Sequence, residues 1–324
     1  MNIVYVSNEK YVPHLAASLC SVAENNRSED VLDFYIISTG ISDASLKKLA
    51  ALCDSYGRKM YVSDLSNIRD RIASENPVFI RKFDISILGR FFLSELLPTD
   101  LDKVLYLDCD TITTASLHEI YTLLPEEGKI LAAVMEPTIY KSTKDMLGMG
   151  VNDPYFNSGV LLIDLKAWRS FEADRRLREY YESISASSVF ADQDAINGLF
   201  RGYIKSLDPK YNFFTNYRYF GYKTLLGISP AYAAVSADEY AYAQQHPVII
   251  HYAGDERPWI RGNRNPFRDE YKNYLRKTEW RNTPDEPGKD TYMLMYHLMN
   301  VSTSVCPPVR KAISDVYSKK LSKK

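Results

Sequence analysis

Short apolar runs alternate with longer segments of helical periodicity along most of the chain. The apolar runs predict strands at residues 3–7, 31–38, 59–62, 103–107, 130–134, 160–164 and 247–251. Apolar residues at helical spacing predict helices at residues 13–24, 42–53 and 87–97, and another from about residue 173. Because such alternation favours a mainly parallel sheet covered on both faces by helices, the sequence predicts an α/β fold.

Length, charge and cysteine content narrow the class of protein further. The 324 residues suffice for one large α/β domain with an extension, and a formal net charge of -1 gives no global attraction to nucleic acid. The four cysteines (Cys20, Cys53, Cys109 and Cys306) lack metal-ligand spacing and are predicted to be reduced thiols of a cytosolic protein. No signal peptide is expected, and no stretch approaches the roughly 18 apolar residues of a membrane span.

Two carboxylates, Asp108 and Asp110, directly follow the predicted strand 103–107. Ligands gather at this end of the strands in α/β sheets, and side chains two positions apart on extended backbone share a side, so both carboxylates could reach one cation. Carboxylate oxygens suit Mg²⁺ or Mn²⁺, which can bridge to diphosphate. Taken alone, the pattern also fits a strand-ending turn with solvated acids.

A second predicted strand end carries His251, followed by a polar loop with Gly254 and Arg257. Imidazole suits Mn²⁺ better than Mg²⁺, and the guanidinium of Arg257 could hold phosphate. A histidine in this position also fits a hydrogen-bonded residue of the core. Together with the acidic pair, the loop predicts a site for Mn²⁺, with Mg²⁺ as the alternative, whose ligands are Asp108, Asp110 and His251.

Separated motifs in a fixed order resemble glycosyltransferase family 8, the retaining GT-A enzymes that include bacterial lipopolysaccharide galactosyl- and glucosyltransferases. The motifs are Ile3-Val4-Tyr5-Val6-Ser7-Asn8 with Tyr11, Gly89-Arg90-Phe91-Phe92, Asp108-Cys109-Asp110, Phe156-Asn157-Ser158-Gly159-Val160, Asp192-Gln193-Asp194, and His251-Tyr252-Ala253-Gly254 with Arg257-Pro258-Trp259. The resemblance extends from about Met1 to Trp259. It implies a GT-A fold, that is, a Rossmann-like and mainly parallel sheet flanked by helices.

The resemblance also implies a UDP-sugar donor and assigns contacts with it. The implied donor-binding residues are Val6, Asn8, Tyr11, Arg90, Asp108, Cys109, Asp110, Asn157, Ser158, Asp192, Gln193, His251, Gly254 and Arg257. Asp192 and Gln193 would be catalytic, with Asp192 on hydroxyls of the donor sugar and Gln193 beneath its anomeric carbon. Since an amide oxygen is barely basic, a stabilising dipole is favoured over a covalent adduct at Gln193.

Some motif residues depart from the family pattern or have an ordinary structural explanation. Asn8 and Lys10 stand where Asp and a small polar residue are common, and Arg257 replaces a lysine with a bulkier, forked cation. Arg90 could be solvated or paired with an acid such as Asp84. The segment 157–159 could form a turn before a strand, and Asp194 could favour the N-terminus of a helix beginning near Ala195.

Beyond residue 265 the composition changes. The sequence predicts a catalytic domain of residues 1–265 and a small helical extension of residues 266–324 that is rich in Met and Tyr and basic at its end. Val309, Ile313, Val316 and Tyr317 recur at helical spacing beside Arg310, Lys311, Lys319, Lys320, Lys323 and Lys324. Two interpretations remain open: a solvated tail, and a helix that docks on anionic lipid with about 1 kcal/mol per basic residue.

The sequence as a whole predicts a metal-dependent retaining glycosyltransferase. It would move galactose or glucose from a UDP-sugar to a glycan or glycolipid acceptor in cell-surface polysaccharide synthesis, in the cytoplasm or on the inner face of the membrane. The segments 141–150, predicted as a loop, and 212–223 would shape the acceptor cleft. Two alternatives remain: a UDP-sugar-binding protein of the same fold that transfers nothing, and a metal-dependent phosphohydrolase that uses the acidic pair.

Overall fold

The computed structural model describes residues 1–65, 89–124, 126–137, 141–214, 217–218, 220–306, 309 and 312–313. The strands are β1 (Asn2–Ser7), β2 (Asp33–Ser38), β3 (Lys59–Asp64), β4 (Lys103–Leu107), β5 (Thr111–Thr113), β6 (Leu131–Met135), β7 (Phe156–Asp164), β8 (Ile204–Leu207), β9 (Phe213–Phe214) and β10 (Ile249–His251). The helices are α1 (Val12–Asn25), α2 (Asp43–Ser55), α3 (Leu93–Leu96), α4 (His118–Tyr121), α5 (Lys141–Met146), α6 (Leu165–Ser170), α7 (Ala173–Ile184), α8 (Asp192–Leu199), α9 (Tyr222–Ile228), α10 (Ala237–Gln245), α11 (Arg268–Leu275) and α12 (Asp290–Val305).

A seven-stranded sheet in the order β3-β2-β1-β4-β7-β6-β8 forms the centre of the fold. Only β7 runs antiparallel to its neighbours among these strands. Along β1, Ile3 and Tyr5 belong to an apolar cluster with residues of α1 and α2, whereas Val4 and Val6 belong to one with residues of α6, α7 and α8. Successive side chains of a strand point to opposite faces, so helices cover both. The predicted α/β architecture is confirmed.

A second sheet of three strands, β5-β10-β9, sets the position of the predicted metal ligands. β10 pairs antiparallel with β5, and His251 lies opposite Thr111. The amide of Tyr252 continues this pairing by donating to the carbonyl of Asp110 at 2.9 Å. The pairing therefore places the end of β10 directly beside the segment that carries Asp108 and Asp110.

Two local predictions were wrong. Residues 141–150 were expected to form a loop, but α5 occupies the first six of them, and the Lys144 ammonium donates to the carbonyls of Val151 (2.9 Å) and Asp153 (2.7 Å). These bonds fold the following turn back onto the helix. The alternative of a turn at residues 157–159 was also wrong, because β7 begins at Phe156 and these residues are buried within it.

Other element boundaries were shifted rather than wrong. The predicted helix at 87–97 begins, within the described residues, as a 3₁₀ turn (Gly89–Phe92) that continues into α3; residues 87 and 88 lie outside the described part. Ser42 caps α2 as predicted, accepting from the amide of Ser45 at 3.2 Å. Helix α8 begins at Asp192, so that the Asp192-Gln193-Asp194 motif forms its first turn instead of preceding it.

The four cysteines are free thiols, as predicted, and only Cys306 is exposed. In the C-terminal part, Tyr271 and Leu275 of α11 pack in a cluster with Ala17 and Trp259. None of the helices within the described residues is both long and apolar enough to cross a bilayer. The division at residue 265 stays a prediction, and of the predicted basic helix the structure describes only Val309, Ala312 and Ile313, which are helical and exposed.

Candidate active site

The predicted metal ligands form a compact group at the carboxyl edge of the large sheet. One ligand atom from each of Asp108, Asp110 and His251 lies within 4.8 Å of the others. The Nε2 atom of His251 is 3.2 Å from Oδ1 of Asp110 and 3.9 Å from Oδ2 of Asp108. Two hard oxygen donors and one imidazole nitrogen converging in this way fit a divalent cation such as Mn²⁺.

A chain of side-chain amides orients the imidazole of His251. The backbone N–H of Gly159 donates to Oδ1 of Asn157 (2.8 Å), so this atom is an acceptor, and Nδ2 of Asn212 donates to it as well (2.9 Å). The carbonyl oxygen of the Asn212 amide is then the atom that faces Nδ1 of His251 at 2.9 Å. Nδ1 therefore carries a proton, which leaves Nε2 as the nitrogen that faces the two carboxylates and that would bind a metal.

The ionisable side chains of the metal group shift one another's pKa values. Burial lowers the pKa of His251, but the carboxylates of Asp110 and Asp108 outweigh burial and raise it overall. Burial raises the pKa of Asp110, whereas His251 and the nearby guanidinium of Arg257 lower it overall. Nε of Arg257 lies 3.7 Å from Oδ2 of Asp110 and is buried without a hydrogen-bond partner among the described residues. Arg257 thus places an incompletely paired cation at the rim of the metal group.

Arg90 lies buried inside the site and is not a solvated helix residue. It pairs with Asp192 and with Oδ1 of Asp108 (2.7 Å), and it donates to the carbonyl of Ser158 at 2.9 Å. Its guanidinium also lies 4.4 Å from the centroid of the Tyr106 ring. Asp84, the alternative partner, lies outside the described residues. Arg90 therefore connects the metal group to the motif on α8.

Asp192 and Gln193 lie in the first turn of α8 and face β7. Asp192 accepts from the Ser158 hydroxyl (3.1 Å), and its pKa is raised to about 6 because burial outweighs the attraction of Arg90. Oε1 of Gln193 accepts from Nδ2 of Asn157 (2.9 Å) and from the amide of Ser158 (3.1 Å). With two donors already on this oxygen, Gln193 is better suited to present a dipole than to attack carbon. Ala191, just before the motif, adopts a positive φ of 45°, a strain of about 1–3 kcal/mol.

Asp194 points away from Asp192, as the divergence of neighbouring helical residues predicts. Its carboxylate accepts from the hydroxyls of Tyr155 (2.6 Å) and Ser188 (2.8 Å) and from the amides of Val189 and Phe190, each at 2.9 Å. The Asp194 carboxylate thus accepts four hydrogen bonds from other residues of the chain. Asp194 therefore stabilises the start of α8, in line with its structural interpretation.

The residues expected to contact uridine form a neighbouring group at the end of β1. Asn8 caps a 3₁₀ turn by accepting from the amide of Tyr11 (3.2 Å), and the Cys109 thiol donates to the carbonyl of Val6 at 3.3 Å. The guanidinium of Arg257 lies 5.8 Å from the centroid of the Tyr11 ring. Gly254 opens the turn before Arg257 with a φ of +65°, a conformation that favours glycine. The predicted site residues thus lie along one edge of the sheet.

Two residues of the site were missed by sequence reasoning. Asn212 was assigned to the acceptor cleft, but its amide orients His251. Glu136 follows β6 directly and accepts from Nδ2 of Asn157 at 2.8 Å. Burial raises the pKa of Glu136 to about 7. The rule that singled out Asp108, an acid just past a predicted strand, applies equally to Glu136 and could have found it.

Replacing Glu136 with Gln is expected to stabilise the protein above neutral pH. The folded-state pKa lies above the ordinary 4.5, so the stability that Glu136 contributes is fully present below about pH 4.5 and is lost as the pH rises through about 7. Glutamine cannot ionise but can still accept from Asn157. We expect a free energy of unfolding about 1–2 kcal/mol higher than wild type near pH 8, which is less than the full pKa shift implies because Glu136 is not fully buried. Urea denaturation across this pH range would contradict the assignment if the difference were independent of pH.

Comparison with known proteins agrees with the family resemblance of the sequence motifs. The family model described as "Glycosyl transferase family 8" matches residues 2–262. The chain is 25% identical over 293 residues to general stress protein A of Bacillus subtilis (strain 168), covering 89% of this chain and 97% of that protein. It is 26% identical over 328 residues to the lipopolysaccharide 1,2-glucosyltransferase of Escherichia coli (strain K12), covering 96% of this chain and 91% of that protein.

Among solved structures, the chain is similar to the galactosyltransferase LgtC in complex with donor and acceptor sugar analogues. The sequences are 25% identical, the superposition has a TM-score of 0.69, and it covers 86% of this chain and 96% of that one. The GT-A fold expected from the sequence is thereby confirmed. The candidate site lies at the carboxyl edge of the parallel strands, where open α/β sheets bind their ligands.

Proposed function

The chain belongs to glycosyl transferase family 8, and on this premise we propose that it is a metal-dependent, retaining hexosyltransferase that uses a UDP-sugar. The observation that carries the proposal is the convergence of Asp108, Asp110 and His251 within 4.8 Å, with Arg257 beside Asp110. The donor sugar would be galactose or glucose, because the similar proteins include a glucosyltransferase and a galactosyltransferase. The acceptor would be a glycan or glycolipid of cell-surface polysaccharide synthesis.

In this mechanism the residues of the chain bind the donor and stabilise its cleavage. Bound Mn²⁺ or Mg²⁺ would offset negative charge on the leaving diphosphate, which is typically worth several kcal/mol of barrier. Arg257 would donate to phosphate oxygens from the rim of the same group. Asp192, held by Arg90 and Ser158, would accept from hydroxyls of the donor sugar, and the dipole of Gln193 would lie beneath the anomeric carbon.

The acceptor hydroxyl would attack the anomeric carbon from the side that UDP vacates. A bond forms between the acceptor oxygen and that carbon as the bond to the UDP oxygen breaks, and the departing phosphate takes the acceptor proton. No protein base is required, and the configuration is retained. Retention is proposed from the resemblance of the motifs to the retaining enzymes of this family, and NMR of the product from an α-linked donor would refute it by detecting a β-linked glycoside.

A screen of UDP-sugars with Mn²⁺ tests the proposal and separates it from its two alternatives. Transfer or slow donor hydrolysis releases UDP, whereas a phosphohydrolase would produce a monophosphate or a sugar phosphate. A protein that binds UDP but releases none from any donor would be a binding protein of the same fold. UDP release that requires a divalent cation and favours one sugar is the expected result, and it also identifies the donor.

We further propose that the protein acts in the cytoplasm and contacts the inner face of the membrane through its C-terminal part. On α12 the buried residues Met293, His297, Asn300 and Thr303 face inward. The opposite side exposes apolar residues: Leu294 (50%), Met295 (62%), Leu298 (57%) and Val301 (70%). Residues 291–309 contain no Asp, Glu, Lys or Arg, and the basic tail begins at Arg310. An apolar surface followed by basic residues suits an anionic bilayer.

Replacing Leu298 with Glu is expected to weaken binding to anionic vesicles. A carboxylate in the middle of the exposed apolar face would have to be desolvated at the lipid surface and would be repelled by anionic headgroups. We expect about a tenfold or larger loss of vesicle association in a sedimentation assay with phosphatidylglycerol. Val151→Glu, at an exposed site (65%) on a loop, is the matched control and should bind as wild type does. Equal binding of all three proteins, or binding that ignores lipid charge, would contradict the proposal.

A further inference from the structure

Arg257, the cation proposed to contact the diphosphate, lies beyond the last strand of the site. β10 ends at His251, and a 3₁₀ turn (Gly254–Glu256) leads from there to Arg257. The pairing of β10 with β5 extends to Tyr252, whose amide donates to the carbonyl of Asp110. The position of Arg257 therefore depends on how other parts of the chain hold the turn.

Two buried asparagines that follow the turn in the sequence hold its backbone. Nδ2 of Asn263 donates to the carbonyl of Asp255 at 2.8 Å, and Nδ2 of Asn265 donates to the carbonyl of Glu256 at 2.6 Å. Oδ1 of Asn263 accepts from the amide of Asn265 at 2.7 Å, which sets the orientation of the Asn263 side chain. These bonds fix the path of the backbone through the turn.

Two tyrosines of α12 bind the acidic side chains of the same turn. The hydroxyl of Tyr292 donates to Oδ2 of Asp255 at 2.7 Å, and the hydroxyl of Tyr296 donates to Oε1 of Glu256 at 2.5 Å. The tyrosines are one helical turn apart, so they share a face of α12, and their rings are stacked with centroids 6.3 Å apart. Glu256 is only 1% exposed. Hydrogen bonds to a buried carboxylate are among the stronger ones, so α12 holds the turn firmly.

Helix α12 is itself anchored close to the turn. The guanidinium of Arg261 donates to both carboxylate oxygens of Asp290, each at 2.7 Å, at the start of the helix. In the middle of the helix, Nε2 of His297 accepts from the amide of Arg264 at 2.9 Å. Met293, between these points, is fully buried in an apolar cluster with residues of α11. Because it is fixed at its start and its middle, α12 can support the turn.

We propose that Tyr292 and Tyr296 are positioning residues that hold the turn, and with it Arg257, in place for the diphosphate. This role rests on the proposed function, which supplies the phosphate contact of Arg257. A loop that is ordered before its ligand arrives loses less freedom on binding, so the affinity for the ligand is higher. The family model matches residues 2–262, and α12 lies beyond them. The C-terminal extension therefore contributes to donor binding without contacting the donor.

The test compares two ligands that share the nucleoside and differ in the diphosphate. Binding of uridine and of UDP, both with Mn²⁺, is measured by calorimetry for the full-length wild type, Tyr292→Phe, Tyr296→Phe and the double variant. Phenylalanine keeps the ring and removes only the hydroxyl. We expect the Kd for UDP to rise about 3- to 10-fold in each single variant and about 10- to 100-fold in the double variant. The Kd for uridine should stay at the wild-type value, because uridine has no phosphate for Arg257 to contact.

Two further variants connect the effect to its cause. Arg257→Ala should itself lower the preference for UDP over uridine. In its background the tyrosine changes should have little further effect, because the group that they position is gone. Tyr274→Phe is the matched control: its hydroxyl accepts from Nδ2 of Asn25 at 2.8 Å and so connects α11 to α1, away from the turn. This variant should bind both ligands as wild type does.

The contrary outcomes separate this role from the proposed function. If the tyrosine variants bind UDP as wild type does, or lose affinity for uridine and UDP by the same factor, the tyrosines do not position Arg257. The same conclusion follows if their effect on UDP persists in full in the Arg257→Ala background. If the wild-type protein binds no UDP, or if Arg257→Ala leaves the preference for UDP unchanged, the phosphate contact in the proposed function fails, and the positioning role fails with it.

Discussion

Replacement of Asp110 with Ala abolishes Mn²⁺-dependent turnover in the mechanism proposed here, and it is expected to leave the fold intact. Oδ1 of Asp110 lies closest to the metal-directed nitrogen of His251, at 3.2 Å. Asp108 cannot take over its role, because Oδ1 of Asp108 already accepts from Arg90 (2.7 Å) and from Tyr106 (2.8 Å). Loss of one of two carboxylate ligands removes several kcal/mol of charge stabilisation, so the rate of UDP release should fall about a thousandfold or more.

The fold should tolerate this change because the contacts of the Asp110 side chain belong to the site. They are made with His251 and Arg257, while the backbone carbonyl that receives the Tyr252 amide is kept. Far-UV circular dichroism and thermal unfolding check the fold, and electron paramagnetic resonance of free Mn²⁺ checks binding. Asp54→Ala, at an exposed position on α2, is the matched control. A fully active Asp110→Ala variant would refute the metal site.

The central sheet could be predicted because each buried parallel strand appears in the sequence as a continuous apolar run. Ile3 to Ser7 and Lys103 to Leu107 are runs in which nearly every side chain is buried, and each is apolar for that reason. The cap at Ser42 is equally local, since donor and acceptor lie three residues apart. Such features are determined by residues close together in the chain, so they can be predicted without knowledge of the fold.

The direction and length of β7 could not be predicted in the same way. Asn157, Ser158 and Gly159 are residues typical of turns, yet they lie in a strand, because β4 pairs with residues 160–164 directly after them and β6 pairs with Phe156 directly before them. The amide of Asp108 donates to the carbonyl of Gly159 at 2.8 Å, which extends this pairing to the edge of the site. Strand direction is decided by such long-range pairs, and the tertiary contacts override local propensity.

In the site as well, some features follow from residues close together in the sequence, and others depend on residues far apart. Asp108 and Asp110 are two positions apart, and their convergence follows from strand geometry alone. The orientation of His251 depends instead on Asn212, 39 positions away, which is in turn fixed by Asn157, 55 positions away. No sequence pattern around an asparagine indicates that its amide will bond a residue so far along the chain. The metal ligands could therefore be predicted, whereas the residues that orient them could not.

Replacement of Gly159 with Ala tests one of these supports directly. A methyl group on Gly159 would overlap Cε1 of His251 and lie 2.8 Å from Oδ2 of Asp108. His251 cannot move aside freely, because Nδ1 is bonded to Asn212 and the ring packs 5.2 Å from that of Phe214. We expect affinity for Mn²⁺ to fall about 10- to 100-fold, as for other changes that displace a metal ligand, with a loss of about 1–3 kcal/mol in the free energy of unfolding.

A second glycine provides a control in which substitution by alanine is expected to raise, rather than lower, the free energy of unfolding. Gly227 is exposed within α9, and a methyl group there would meet no atom within 4 Å. Gly227→Ala should raise the free energy of unfolding by about 0.5–1 kcal/mol through helix propensity and leave Mn²⁺ binding unchanged. Calorimetric titration with Mn²⁺ and urea denaturation of both variants then separate a general effect of added bulk from the displacement of His251. Wild-type affinity in Gly159→Ala would mean that the imidazole is not held against β7 and is not a ligand in this position.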